Sequence, residues 1–134
     1  MSNKTEPKPH GAVAIHAPTL INKPWGYELI FANTDRYVGK ILHIEPGCAL
    51  SLQYHEVKDE SLYVLSGAVV LHTGPADARE QRIVGSGHAF RIVPGMIHRF
   101  EAHTACDLVE VSTPELADVV RIEDRYGRAN TSDP

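Results

Sequence analysis

The feature that most constrains this chain is the rhythm of its breakers. From Tyr27 onward, β-branched and aromatic runs (YELIFA, RYVGKILHI, ALSLQYH, SLYVLSG, AVVLHT, QRIVG, HAFRIVPG, HRFEA, DLVEVSTP) are interrupted about every ten residues by turn chemistry such as EPG at 45–47, SG at 66–67, GSG at 85–87 and VPG at 93–95. Short strands joined by turns that tolerate unusual dihedrals make an antiparallel architecture. No segment before Glu115 sustains an apolar stripe at helical spacing over three turns, so alternating βαβ units are not expected. The fold class predicted is all-β, a sandwich or small antiparallel β-barrel. The tail ELADVVRIEDRYGR at 115–128 suits either a short helix or an extended edge segment, and its composition does not choose between them.

Composition narrows the functional classes. A chain of 134 residues with 43% apolar content is enough for one domain with a real core. Residues 1–18 are polar, contain Pro and lack periodicity, and are expected to form a flexible N-terminal arm. Residues 19–134 are expected to form a single domain with a C-terminal segment. The formal charge of −4, with basic residues scattered along the chain, leaves no electrostatic footprint for nucleic acid. No apolar run approaches the roughly 18 residues of a membrane span and the N-terminus lacks a signal-peptide core, so a cytoplasmic protein without membrane contact is expected. Cys48 and Cys106 form no CxxC pair and read as small reduced core residues. Exposed edge strands need covering, and a homodimer is the expected solution.

The stretch Ser51–Gly67, SLQYHEVKDESLYVLSG, carries most of the functional information. Residues two apart on a strand share a face, so Gln53 and His55 project together, and four residues later Glu60 opens the next run. A hairpin brings its carboxylate back beside them. Such a trio is costly inside a barrel unless something satisfies it, and a divalent cation accepts an amide oxygen, a neutral imidazole and a carboxylate together. A second imidazole, His98, begins a strand just after the Pro94-Gly95 turn. The competing reading is a sealed hydrogen-bond network without metal.

These residues carry a family resemblance. Gly47, five residues, Gln53-Tyr54-His55, four residues, Glu60, six residues and Gly67 resemble the first cupin motif, with Gln in place of its usual first His. Pro94-Gly95 followed by His98 resembles the second motif, with Ala102 where a closing Asn is usual. The resemblance implies a double-sheet jelly roll whose open end holds a metal. KPWGYE at 23–28, SLQYH joined to the Glu60 strand, and VVRIEDRYGR at 119–128 are similar, more narrowly, to the type II phosphomannose isomerase cupins. Lys58 stands where that family usually has Arg, Leu62 where it tends to have an aromatic, and Glu56 and Val57 where it has His. No Gly-rich nucleotide loop precedes the cupin segment, so guanylyl transfer is not expected of these residues.

The resemblance implies one divalent metal ion on Gln53, His55, Glu60 and His98, with Zn or Mn favoured and Fe, Co or Ni as alternatives. It implies an isomerase that interconverts an aldose and a ketose, mannose 6-phosphate and fructose 6-phosphate or a related sugar. That chemistry needs a base to move a proton between adjacent carbons. Lys58, Glu60 and Lys40 are the candidates for it, and a lysine in that role needs a lowered pKa; the plainer reading of both lysines is an exposed charge. Arg121, Arg125 and Arg128 are candidates to bind the substrate's phosphate, or else form surface salt bridges with Glu123 and Asp124. The small-molecule partner is thus a sugar or sugar phosphate. Two alternatives stand beside this reading: a sugar-binding cupin without turnover, and a non-haem iron oxygenase built on two His and one carboxylate. Trp25 is read as an anchor that packs the entry strand onto the barrel.

Overall fold

A computed structural model describes residues 11–129. Eleven strands and no helix appear among them: β1 Thr19–Lys23, β2 Gly26–Asn33, β3 Val38–Ile44, β4 Leu52–Tyr54, β5 Glu60–Ser66, β6 Ala68–Thr73, β7 Glu80–Gly85, β8 Ala89–Ile92, β9 His98–Ala102, β10 Cys106–Ser112 and β11 Val120–Glu123. No helix is therefore long and apolar enough to cross a membrane. The strands form two antiparallel sheets, one in the order β1-β2-β3-β10-β5-β8 and the other β11-β4-β9-β6-β7. This is the double-sheet jelly roll, and the C-terminal tail resolves as extended, with β11 pairing against β4.

Between the sheets, Trp25, Leu42, Ile44, Leu62, Val64, Val69, Ile92, Phe100, Cys106 and Leu108 form a closed apolar core. Trp25, only 2% exposed, packs as the anchor its sequence context suggested. Both cysteines are free; Cys106 is buried in the core and Cys48 is half-buried against it. Residues 11–18 are exposed and carry no strand or helix, and the remainder of the expected N-terminal arm, residues 1–10, lies outside the described residues.

Four central strands share a pattern that places the site. Along β3 the inward residues run Ile44, Leu42, Lys40; along β10, Cys106, Leu108, Glu110; along β5, Val64, Leu62, Glu60; along β9, Ala102, Phe100, His98. Each strand keeps its alternation, yet its inner face changes from apolar to ionisable at one end. The register aligns these changes, pairing Leu108 with Leu42 and Val64, and Glu110 with Lys40 and Leu62. One end of the interior is therefore hydrocarbon and the other is a nest of buried charge.

Turn chemistry ties the two motifs together. Gly67, at the β5–β6 hairpin, has φ of 73°, and a Cβ there would run into the Ala105 carbonyl oxygen. Only glycine fits both the dihedral and the space. The Gly95 amide of the Pro-Gly turn donates to the His55 carbonyl at 2.7 Å, fixing the second motif against the first.

Candidate metal centre

His55, just beyond β4, Glu60 at the start of β5 and His98 at the start of β9 converge at the polar end of the interior. One donor atom from each lies within 4.8 Å of the others, and all three residues are buried. Glu60 sits between the imidazoles, its Oε2 3.7 Å from His55 Nε2 and its Oε1 3.7 Å from His98 Nε2. The far side of each ring is anchored by backbone. His55 Nδ1–H donates to the Asp118 carbonyl at 2.5 Å, and His98 Nδ1–H donates to the Met96 carbonyl at 2.8 Å. A carbonyl only accepts, so each Nδ1 carries the proton and each Nε2 keeps its lone pair.

Both Nε2 atoms are buried without a hydrogen-bond partner among the described residues. Two oriented lone pairs beside a carboxylate fit a divalent cation, with the backbone carbonyls as the supporting partners that metal-bound imidazoles require. Burial pushes the His98 imidazole down to about 4 despite Glu60 and the Met96 carbonyl, which keeps it neutral and ligand-ready. Burial alone would raise the Glu60 carboxyl, but His55, Lys58 and His98 together hold it well below the usual carboxylate range. These residues would hold the ion as two imidazoles and one carboxylate.

Gln53 lies opposite His98 in the β4–β9 register and lines the same cavity, while its Oε1 accepts from the Ser51 hydroxyl at 2.5 Å. Its amide oxygen, with one lone pair on that hydroxyl, keeps a second. Asp118 is a residue that sequence reading missed. Its carboxylate collects the backbone N–H groups of Glu56, Val57 and Lys58 at 3.0, 2.7 and 2.8 Å, fixing the loop between His55 and Glu60. Nothing in ELADVV marks an aspartate 63 positions from His55 as its support.

The centre opens onto a cavity of about 180 Å³ whose wall includes Lys23, Lys40, Lys58, Arg121 and Arg128, with Glu28, Glu60 and Glu110 among them. Neither lysine singled out from the sequence is an exposed charge, since Lys40 and Lys58 are 6% and 4% exposed. Inward parity on the strand buries the first, and clamping between carboxylates buries the second. Lys58 Nζ is 2.9 Å from Glu60 Oε2 and 3.1 Å from Glu110 Oε2; Lys40 Nζ is 3.8 Å from Glu110 Oε2 and 3.2 Å from Glu28 Oε1; Lys23 Nζ is 3.9 Å from Glu28 Oε2. Charges of alternating sign thus run across the wall from Lys23 to the candidate centre. Burial would lower the Lys58 pKa, but Glu110 and Glu60 outweigh it and hold the ammonium above the usual lysine range. Burial, with Lys40, Arg128 and Arg121 nearby, pulls Lys23 below that range despite Glu28.

The three arginines separate. Arg121 is 5% exposed on the cavity wall. Arg128 also lines the cavity while its guanidinium grips Asp124 at 3.0 and 3.1 Å. Arg125 is not on that wall and pairs with Glu101 at 3.3 Å. Glu123 is taken by Arg99 at 3.0 Å and Arg79 at 3.6 Å. The structure therefore gathers Gln53, His55, Lys58, Glu60, Lys40, Arg121 and Arg128 around one cavity, sets His98 beside Glu60, and leaves Arg125 outside.

Comparison with known proteins agrees with this architecture. Over 120 residues the chain is 37% identical to the mannose-1-phosphate guanylyltransferase ManC of Salmonella typhimurium, covering 84% of this chain and 24% of that protein. Over 114 residues it is 36% identical to the mannose-1-phosphate guanylyltransferase of Escherichia coli K12, covering 81% and 23%. The chain thus spans about a quarter of the length of the curated relatives it matches. Among solved structures, the capsular polysaccharide assembling protein CapF of Staphylococcus aureus aligns with a TM-score of 0.67 at 20% identity, over 81% of this chain and 35% of that one. A point mutant of the oxalate decarboxylase OxdC of Bacillus subtilis aligns with a TM-score of 0.70 at 15% identity, over 84% and 34%. Residues 40–112, more than half of the chain, match the cupin domain, and the chain belongs to that family.

Proposed function

We propose that this cupin is a metal-dependent isomerase that interconverts an aldose and a ketose, acting on mannose 6-phosphate and fructose 6-phosphate or a closely related sugar. The observation that carries this reading is the juxtaposition of two ligand-ready imidazoles and a carboxylate with a cavity wall bearing five cationic side chains. The cations suit an anionic polyol ligand, and the centre suits a cation that polarises neighbouring carbonyl and hydroxyl oxygens. His55, Glu60 and His98 would hold the ion, with Gln53 beside them. Arg121 and Arg128 would receive the phosphate, and Lys40 and Lys58 would orient the sugar oxygens. The relatives are named for mannose 1-phosphate, itself a hexose phosphate. The Bacillus subtilis oxalate decarboxylase has Mn(II) centres; at 16% identity that likeness extends to the fold alone, and the metal assignment here rests on the donor set.

The test is a coupled isomerase assay on mannose 6-phosphate and on mannose, with protein whose metal has been quantified and reloaded separately with Zn, Mn, Co, Ni and Fe(II). Turnover that depends on metal and disappears in His55→Ala supports the isomerase. Bound metal with sugar-dependent thermal stabilisation and no turnover under any loading replaces it with a sugar-binding cupin. Oxygen consumption specific to Fe(II) replaces it with an oxygenase, which the same donor set also suits.

We also propose a homodimer, formed through a sheet face and not an edge. The edge strands β7 and β8 are short, and outward Arg82 and Arg91 blunt them. The outer face of the six-stranded sheet instead carries an apolar row, Leu20, Leu29, Ile41, Val109, Tyr63 and Ala89, each opposite the next in the strand register. Tyr63, Leu65 and Val111 on this face are 44%, 54% and 56% exposed. The nearby charges are internally paired, His43 with Asp107 and Arg91 with Asp59, so a second copy would meet a neutral, self-complementary surface.

A further inference from the structure

Glu110 is the buried carboxylate that the proposed chemistry has not yet used. It lies on the inner face of β10, 2% exposed, and its side chain lines the cavity with His55, Lys58 and Glu60. The other carboxylates of that wall are occupied. Glu60 faces both imidazoles and Lys58, and Glu28 lies between Lys23 and Lys40. Glu110 bridges the two lysines nearest the centre, its Oε2 3.1 Å from Lys58 Nζ and 3.8 Å from Lys40 Nζ.

A carboxylate oxygen carries two lone pairs, so the ammonium at 3.1 Å balances the charge and leaves Oε2 a second lone pair on the cavity wall. The two lysines that flank it are each ion-paired with two carboxylates and serve as counter-charges. Burial first, and the nearby Glu60 charge second, raise the Glu110 carboxyl above its usual range.

We propose that Glu110 is the catalytic residue that carries the proton between C1 and C2 of the sugar. This assignment rests on the isomerase reading given above. In the first half, the C2–H bond breaks and its proton passes to a Glu110 carboxylate oxygen. The C–H electron pair becomes the C1–C2 double bond as the carbonyl pair moves onto O1, which takes the proton of the neighbouring O2 hydroxyl. In the second half, the electron pair on O2 re-forms a carbonyl at C2 while the C1–C2 double-bond pair takes the proton from Glu110 at C1. Glu110 regains its starting state and no oxidant or reductant is consumed.

The experiment uses the full chain loaded with the metal that gives the highest turnover, in D2O, and follows deuterium incorporation at C1 and C2 by NMR beside steady-state kinetics. Glu110→Gln keeps the side-chain shape and removes the basic oxygen. The expected result is wild-type metal content, KM within about threefold, and a fall in both kcat and deuterium incorporation of about 10²–10⁴-fold, the usual contribution of a positioned general base. Glu110→Asp, which retains the charge that balances Lys40 and Lys58, is the second variant. It is expected to bind metal normally and to keep turnover between those of Glu110→Gln and wild type. Wild-type exchange in Glu110→Gln, or wild-type kcat in Glu110→Asp should the Gln variant fail to fold, overturns the assignment while leaving the isomerase intact. Absence of turnover and exchange in the wild-type protein under every metal overturns the isomerase reading and this assignment together.

Discussion

At the scale of single residues, His55, Glu60 and His98 were legible because a cupin-like spacing places ligand types where packing alone would not, whereas Asp118 and Glu110 were not. Asp118 supports His55 through its backbone carbonyl and the intervening loop through its carboxylate, two jobs that leave no local pattern. Glu110 was hidden by its neighbours. In DLVEVS the valines look like the core face and the glutamate like the solvent face, but the inward residues are Leu108 and Glu110, with Val109 half-buried and Val111 exposed. Two predictions belong here. Replacing His55 with Ala should weaken metal binding by more than the about 10–100-fold typical of losing a supporting partner, measured as metal retained after dialysis against a chelator. Asp118→Ala should fall within that range of about 10–100-fold and should destabilise the fold by about 1–3 kcal/mol in urea titration, since three backbone N–H groups lose their acceptor. Unchanged metal affinity in Asp118→Ala would show that the loop is held by something else.

At the scale of elements, the runs read as strands became β2 to β10, although the run ALSLQYH shrank to the three residues of β4. β1 was missed because TLINK sets its two apolar residues side by side and puts a lysine on the inward face with Ile21, so its hydropathy does not alternate; only pairing with β2 makes it a strand. The tail was undecided from composition, and a contact far along the chain decides it. Arg99 on β9, 3% exposed, donates to the Leu50 carbonyl at 2.9 Å, to Glu123 Oε1 at 3.0 Å and to the Glu123 carbonyl at 3.1 Å. This staple pins the end of β11 on one side of its sheet while Arg121 reaches the cavity on the other. Arg99→Met should cost about 1–3 kcal/mol, because the charge-assisted bonds of a buried guanidinium are lost. Hydrogen exchange should quicken first across β11; uniform quickening over both sheets would mean that the staple supports the fold at large. Gly67→Ala should cost more than about 2 kcal/mol, from its left-handed backbone and the Ala105 carbonyl beside it, checked by the same titration.

At the scale of the whole molecule, the apolar outer face and its ion pairs set the last predictions. Light scattering behind gel filtration should give the mass of two chains for the wild type and of one for Tyr63→Lys, which places a charge at the centre of the apolar row; a one-chain mass for the wild type would remove the proposed dimer. On the same face His43 stacks on Tyr27, lies 2.6 Å from Asp107 and 3.3 Å from Glu45, and has a raised pKa owing first to its hydrogen bond with Asp107. A raised folded-state pKa stabilises below the unfolded value of about 6.5 and stops doing so as pH rises through the folded value. The stability gap between wild type and His43→Gln should therefore be wider near about pH 5.5 than near about pH 8.5. An equal gap at both would show that solvent screens the pair. Strand rhythm, local along the chain, was enough by itself for an all-β fold, and motif spacing, through its resemblance to cupins, for naming Gln53, His55, Glu60 and His98 as the residues that gather at its open end. Which alternating face of each strand turns inward, and hence that Lys40, Lys58 and Glu110 are buried together while valines face out, was decided only by tertiary structure, because strand parity is chosen by the register of a whole sheet and not by the residues of any one strand.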